Sequence, residues 1–204
     1  MARLKENQYK EFPLQNLRKP ILFVVDMING FIKEGSLHDE AILDISKNIE
    51  NLLKKIDASI FICDGHAPDS KEFCSYPLHC VKGTAESEVI EELRPYVKTR
   101  IYKNSTNTFM SPSFQDLLPT LKNHKDIILT GCCTDLCILQ FALSLNSWLN
   151  EHNYKEQRVI VPVDCVDTYD IESIHDAKRW NFFSLKNMET NGILVVSKIG
   201  DQYE

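Results

Sequence analysis

Six short apolar runs punctuate the chain, at 21–27, 58–63, 99–103, 126–130, 158–163 and 193–199. Most are continuous rather than alternating, the pattern of strands covered on both faces. Between them the period lengthens. Ile42, Ile45, Ile49, Leu52, Leu53 and Ile56 fall on one stripe of a helix over 39–56. Helices are also predicted over 84–96, 113–123, 134–150 and 171–188. Strand then helix, repeated, predicts an α/β domain with a six-stranded, mainly parallel sheet and helices on both faces. The stretch 64–83 carries neither period; it is rich in Pro, Cys and His and follows the second strand directly. Open α/β sheets bind ligands beyond the carboxyl ends of their strands. Chemistry is therefore expected just after the apolar runs.

Composition narrows the picture. With 204 residues and 43% apolar, the chain suits one globular domain over 1–204, with 1–19 as an N-terminal extension. No repeat, low-complexity tract or linker interrupts it. The net charge is −6 and Lys and Arg are not clustered, so neither nucleic acid nor an anionic membrane is an expected partner. No run is long enough to span a bilayer, and the first twenty residues lack the apolar core of a signal peptide. The seven cysteines form no Cys-x-x-Cys pairs. They fit free thiols in a reducing, cytoplasmic setting better than a disulfide framework or a structural zinc site.

Four features at strand ends could carry chemistry. Asp26 closes the first run, where a carboxylate is costly unless paired or functional. Lys103 closes the third, and lysine is seldom buried without a partner. Cys137 follows Gly131, with Thr134 or Asp135 as a helix cap. That position puts it in a first helical turn, where the dipole and free N–H groups favour a thiolate and could hold an oxyanion. Asp64 and His66 leave the second strand pointing the same way, and His79 follows across a loop. Asp plus two His leaves open positions, as catalytic metal sites need, and Glu72 is a fourth candidate. Each feature alone also has an ordinary structural reading: a turn aspartate, an edge lysine, a buried small thiol, a hydrogen-bonded Asp–His pair. Their joint placement at four strand ends is the stronger signal.

These residues resemble the isochorismatase-like cysteine hydrolases. Val25-Asp26 through Phe31 looks like the family's aspartate motif, Tyr102-Lys103 its lysine, and Gly131 through Cys137 its nucleophile turn. Asp64-Gly65-His66 with the stretch from Tyr76 to Thr84 resembles the metal loop of the nicotinamidase (pyrazinamidase) branch. The match covers about 20–199. It implies a three-layer α/β/α fold of Rossmann-like topology and catalytic Asp26, Lys103 and Cys137. It also implies a cis peptide at Cys132–Cys133 and an oxyanion hole from the N–H groups of Cys133 and Cys137. One divalent metal (zinc first, iron or manganese otherwise) would sit on Asp64, His66 and His79, with Glu72 as the fourth candidate. Phe31 and Tyr76 would stack on the ring of nicotinamide, the implied substrate, or of pyrazinamide, within NAD salvage. Relatives are often homo-oligomers. Two departures stand out: Gly30 precedes Phe31, and Met110 sits near where some relatives place an aromatic. The alternatives are another amide or carbamoyl hydrolase of the same superfamily, a non-catalytic ligand-binding member of the fold, or a redox protein.

Overall fold

The computed structural model describes residues 9–200. Besides a short two-residue strand (Val166–Asp167) that pairs with Gly131 and Cys132, the main sheet has six strands: β1 (Ile21–Val25), β2 (Ser59–Asp64), β3 (Arg100–Lys103), β4 (Asp126–Cys132), β5 (Arg158–Pro162) and β6 (Leu194–Val196). They run parallel in the order β3-β2-β1-β4-β5-β6. This is the doubly wound order, and its switch point lies between β1 and β4.

Alternate residues of each strand enter two different cores. Leu22, Val24, Phe61, Cys63, Ile128 and Ile160 face one side with Ile42, Ile45, Ile49, Leu52 and Leu53, the last three from helix α1 (Ser46–Leu53). Phe23, Val25, Ile60, Ile62, Leu129 and Val161 face the other. There they meet Phe141 and Leu145 of α2 (Leu139–Glu151), and Leu185 and Met188 of α3 (Ala177–Thr190). Both faces are dry, which is why the runs read as continuous rather than alternating. Ile49 is fully buried in the first core, and truncating it to alanine should cost about 2–5 kcal/mol.

The three-layer α/β/α expectation holds, with local differences. The segment 39–56 begins as a 3-10 turn (Glu40–Ile45), capped by the Asp39 carboxylate, before α1. Residues 84–96 do not form the predicted helix. Two 3-10 turns, Ala85–Ser87 and Arg94–Tyr96, flank a stretch held against the end of β1, where Val89 bridges to Ile28 and the Ile90 N–H donates to the Met27 carbonyl. The predicted 113–123 helix is two single turns, Pro112–Gln115 and Leu118–Leu121, because Pro119 has no N–H to continue the ladder. α3 starts at Ala177 rather than 171, capped by Asp176; Ile171 to His175 instead form a tight bridged turn.

Of the segment before β1, residues 1–8 lie outside the described part. The rest packs on the domain: Phe12–Pro13 pairs with Ile199–Gly200, and Tyr9 and Phe12 lie against the cores. Among the described residues no helix is long and apolar enough to cross a membrane.

Candidate active site

The ends of β1, β2 and β3 meet around one ammonium group. Asp26 follows β1 with φ of 53°, a left-handed conformation that aspartate tolerates better than most side chains. Its N–H donates to the Ile62 carbonyl at 2.8 Å, and its Oδ1 accepts from the Asp64 N–H at 2.8 Å. Asp64 and Lys103 are register partners at the ends of β2 and β3. Lys103 Nζ lies 2.8 Å from Asp26 Oδ2, 2.5 Å from Asp64 Oδ1 and 3.5 Å from Cys137 Sγ. The ammonium hydrogen-bonds Asp64 Oδ1 and Cys137 Sγ and ion-pairs with Asp26 Oδ2, so the buried lysine has a partner on each side. All four residues are at most 5% exposed.

This geometry sets the acidities. Burial alone would lower the Lys103 pKa, but Asp26 and Asp64 hold it well above the usual lysine value, so it stays cationic. Burial and the negative Asp64, opposed by Lys103, raise Asp26 from 3.8 to about 6. Burial would also raise Asp64, yet Lys103 and His66 keep it below the ordinary range. Burial pushes the Cys137 thiol well up despite Lys103. The Cys137 thiol thus sits beside Asp26, a carboxylate whose raised pKa suits it to take that proton.

The turn carrying Cys137 also differs from the one expected. Gly131 has φ of +110°, and a Cβ there would lie 1.9 Å from the Val25 carbonyl oxygen, so only glycine fits. The Cys132–Cys133 peptide is cis, as the resemblance implied. Residues Thr134–Ile138 then make a wide π-type turn, not the first turn of an α-helix, and Cys133 occupies the cap position. Its carbonyl accepts from the N–H groups of Leu136 and Ile138, both at 3.1 Å. Neither Thr134 nor Asp135 caps it. Asp135 instead reaches outward to Thr168 and His175.

Beyond Asp64, the metal loop folds back onto the site. Ligand atoms of Asp64, His66 and His79 lie within 4.8 Å of one another. His79 Nδ1 donates to the Pro77 carbonyl at 2.8 Å. His66 Nδ1 faces Asn104 Oδ1 at 3.3 Å, an oxygen that also accepts from the Ala67 N–H. Both tautomers leave Nε2 with its lone pair free, the arrangement of metal-binding histidines. His66 Nε2 is buried and lacks a hydrogen-bond partner. The two carboxylates also outnumber the lysine. An orphan nitrogen and excess buried negative charge both suit a divalent cation, and an Asp–His–His donor set suits zinc, iron or manganese.

Glu72 stands outside that three-atom group; its Oε1 accepts from the Thr106 hydroxyl at 2.9 Å. It still lines the same inner pocket of about 30 Å³, with Phe31, Tyr76, Asp64, His79 and Cys137. An outer cavity of about 370 Å³ continues it past Phe31, Tyr76 and Leu136 to Tyr169 and Ile171. Phe31 and Tyr76 sit with ring centroids 5.8 and 6.2 Å from that of His79, flanking the space beside it. Met110 is exposed and lines neither cavity. Gly30 has a packing reason: a Cβ would meet Cys80 Sγ at 2.5 Å. The structure thus brings Asp26, Lys103, Cys137, Asp64, His66 and His79 into one cluster. Asn104, Thr106 and the partners of Asp135 join it without a clear signal in the sequence. Asn104 was detectable only as the polar residue after Lys103; nothing local links Asp135 to a histidine forty positions away.

Fold and site together define a class: a doubly wound parallel α/β protein with a buried carboxylate, lysine and cysteine at its strand-order switch. The isochorismatase domain model matches residues 20–197. The chain belongs to the isochorismatase-like hydrolase family. It is 32% identical over 173 residues to nicotinamidase 1 of Arabidopsis thaliana, matching 72% of this chain; it spans 66% of that relative's length. A zinc-complexed pyrazinamidase of Pyrococcus horikoshii has the same fold, with TM-score 0.71, 21% identity, and 88% and 99% of the two chains covered. So does an N-carbamoylsarcosine amidase of Thermoplasma acidophilum, with TM-score 0.66, 24% identity, and 88% and 96% covered. The shared fold does not separate these chemistries.

Proposed function

We propose that this chain is a nicotinamidase, hydrolysing nicotinamide to nicotinate and ammonia through a thioester on Cys137, with pyrazinamide as a second substrate. The observation that carries the reading is the direct abutment of two clusters: Asp26–Lys103–Cys137, and Asp64–His66–His79, joined through Asp64. The curated nicotinamidase relative and the zinc-bound pyrazinamidase fold support it.

The Cys137 thiol gives its proton to Asp26, and the sulfur attacks the amide carbonyl carbon. The N–H groups of Cys133 and Cys137 are the donors for the resulting oxyanion. Asp26 passes the proton to the amide nitrogen, ammonia departs, and an acyl thioester remains. Water then attacks the thioester while Asp26 takes its proton, releasing nicotinate and the restored thiol. Lys103 stays charged throughout and fixes both reacting groups. A divalent metal on Asp64, His66 and His79, with Glu72 as the fourth candidate, would orient the pyridine ring by its nitrogen. Phe31 and Tyr76 hold the ring faces.

The test is ammonia release from nicotinamide by metal-loaded and EDTA-treated enzyme, with Cys137→Ala alongside. Cys137→Ala should retain nicotinamide binding and lose turnover. Wild-type protein that carries metal yet releases no ammonia from nicotinamide would refute the substrate, and an active Cys137→Ala would refute the nucleophile.

A further inference from the structure

One buried acidic–imidazole pair beside the nucleophile takes no part in the reaction above. Asp135 lies two residues before Cys137, within the same π-type turn. Its Oδ1 accepts from the Thr168 hydroxyl at 2.5 Å, and its Oδ2 lies 2.8 Å from His175 Nε2. Both side chains are under 10% exposed. The other ring nitrogen, His175 Nδ1, faces the Tyr169 carbonyl at 2.9 Å. Each nitrogen of the ring therefore has an oxygen acceptor, which fixes its orientation. The ring faces are held too: Tyr169 stacks at 3.9 Å between centroids with an 18° tilt, and Trp180 of α3 stacks at 5.3 Å and 9°.

The anchors at the other end are equally firm. Thr168 follows Val166–Asp167, the two-residue strand that pairs with Gly131 and Cys132 just ahead of the turn. Asp167 Oδ1 accepts from the Thr168 N–H and from Asn181 of α3. The turn has no side-chain cap of its own. Its outer side is gripped instead through Asp135, by Thr168 just after an adjoining strand and by His175 in the bridged turn before α3.

We infer that His175, acting through Asp135, is a positioning residue that sets the placement of the Cys137 turn against Asp26 and Lys103. The inference rests on Cys137 being the nucleophile, not on which amide it attacks. A group misplaced by about 1 Å from its reaction geometry can lose about a hundredfold in rate.

His175→Phe tests this, because phenylalanine keeps a ring between Tyr169 and Trp180 and removes both hydrogen bonds. Asp135→Asn is the conservative companion, keeping shape and a polar partner for Thr168 and His175. Three readouts are taken on the metal-loaded full chain: Tm, steady-state kinetics, and alkylation by iodoacetamide located by peptide mass spectrometry. Exposed Cys74 is the internal control. For His175→Phe, kcat should fall about tenfold to a hundredfold with KM and metal content unchanged. Cys137 alkylation should slow while Cys74 alkylation stays constant, and Asp135→Asn should lose less. Wild-type kcat and Cys137 alkylation in His175→Phe would overturn the inference. So would a loss of kcat that merely follows falling Tm, with both cysteines becoming more reactive together. The alkylation readout needs no substrate, so it separates failure here from failure of the nicotinamide assignment.

Discussion

Lys103→Met is the sharpest perturbation of the site, because it removes one buried charge and keeps the volume of the side chain. Lys103 Nζ sits 2.8 Å from Asp26 Oδ2 and 2.5 Å from Asp64 Oδ1, with all three side chains at most 2% exposed. At an effective dielectric constant near 20, each contact is worth about 6–7 kcal/mol of attraction. Desolvation of the three groups offsets much of that. Removing one partner of a buried pair typically costs about 3–5 kcal/mol, because the remaining charge has no counterion. In a domain of this size, Tm should fall by roughly 6–20 °C. The assay is thermal unfolding near neutral pH in EDTA, so that no metal supplies the missing positive charge. The double variant Asp26→Asn/Lys103→Met leaves one unpaired carboxylate rather than two. It should be more stable than the sum of the single effects predicts, with coupling of about 1–3 kcal/mol. Lys103→Met with a Tm within about 2 °C of wild type, or a double variant that is simply additive, would refute the claim that this lysine holds the two carboxylates.

The remaining predictions concern pH, metal and backbone. Asp26 must be ionised to accept the thiol proton, and burial raises it to about 6; kcat/KM of the free enzyme should therefore fall as pH drops through about 6, and a limb near 4 in the pH–rate profile would contradict this. Asn104→Leu removes the acceptor that fixes the His66 tautomer, so divalent metal affinity measured by calorimetry should weaken about 10- to 100-fold; unchanged affinity would free His66 from that partner. Gly131→Ala puts a methyl 1.9 Å from the Val25 carbonyl oxygen and should abolish soluble folded protein or lower Tm severely; a variant with near-normal Tm would show that β1 and β4 can separate at their tips.

What was legible in the sequence, and what was not, follows from the range of the forces involved. The strands could be read because burial on both faces imposes a local pattern, and α1 because Ile49, Leu52 and Leu53 make a local stripe. The candidate site residues could be found for the same reason. Asp26, Asp64 and Lys103 are polar groups at the ends of apolar runs, and a parallel sheet brings successive strand ends to one edge. The failures all lie where distant residues decide the backbone. Val89 and Ile90 are pulled out of a helix by the end of β1, and the turn at Cys137 opens to a π-type form held from outside by Thr168 and His175. The ionisation of Cys137 is likewise decided by residues distant in sequence. A helix start favours a thiolate, but complete burial between Lys103 and two carboxylates outweighs it. The consequence is chemical rather than descriptive. An exposed thiolate would attack without a base, whereas a buried thiol needs one, and the same burial that raises Cys137 also raises Asp26 to a value at which it can both take and return a proton near neutral pH.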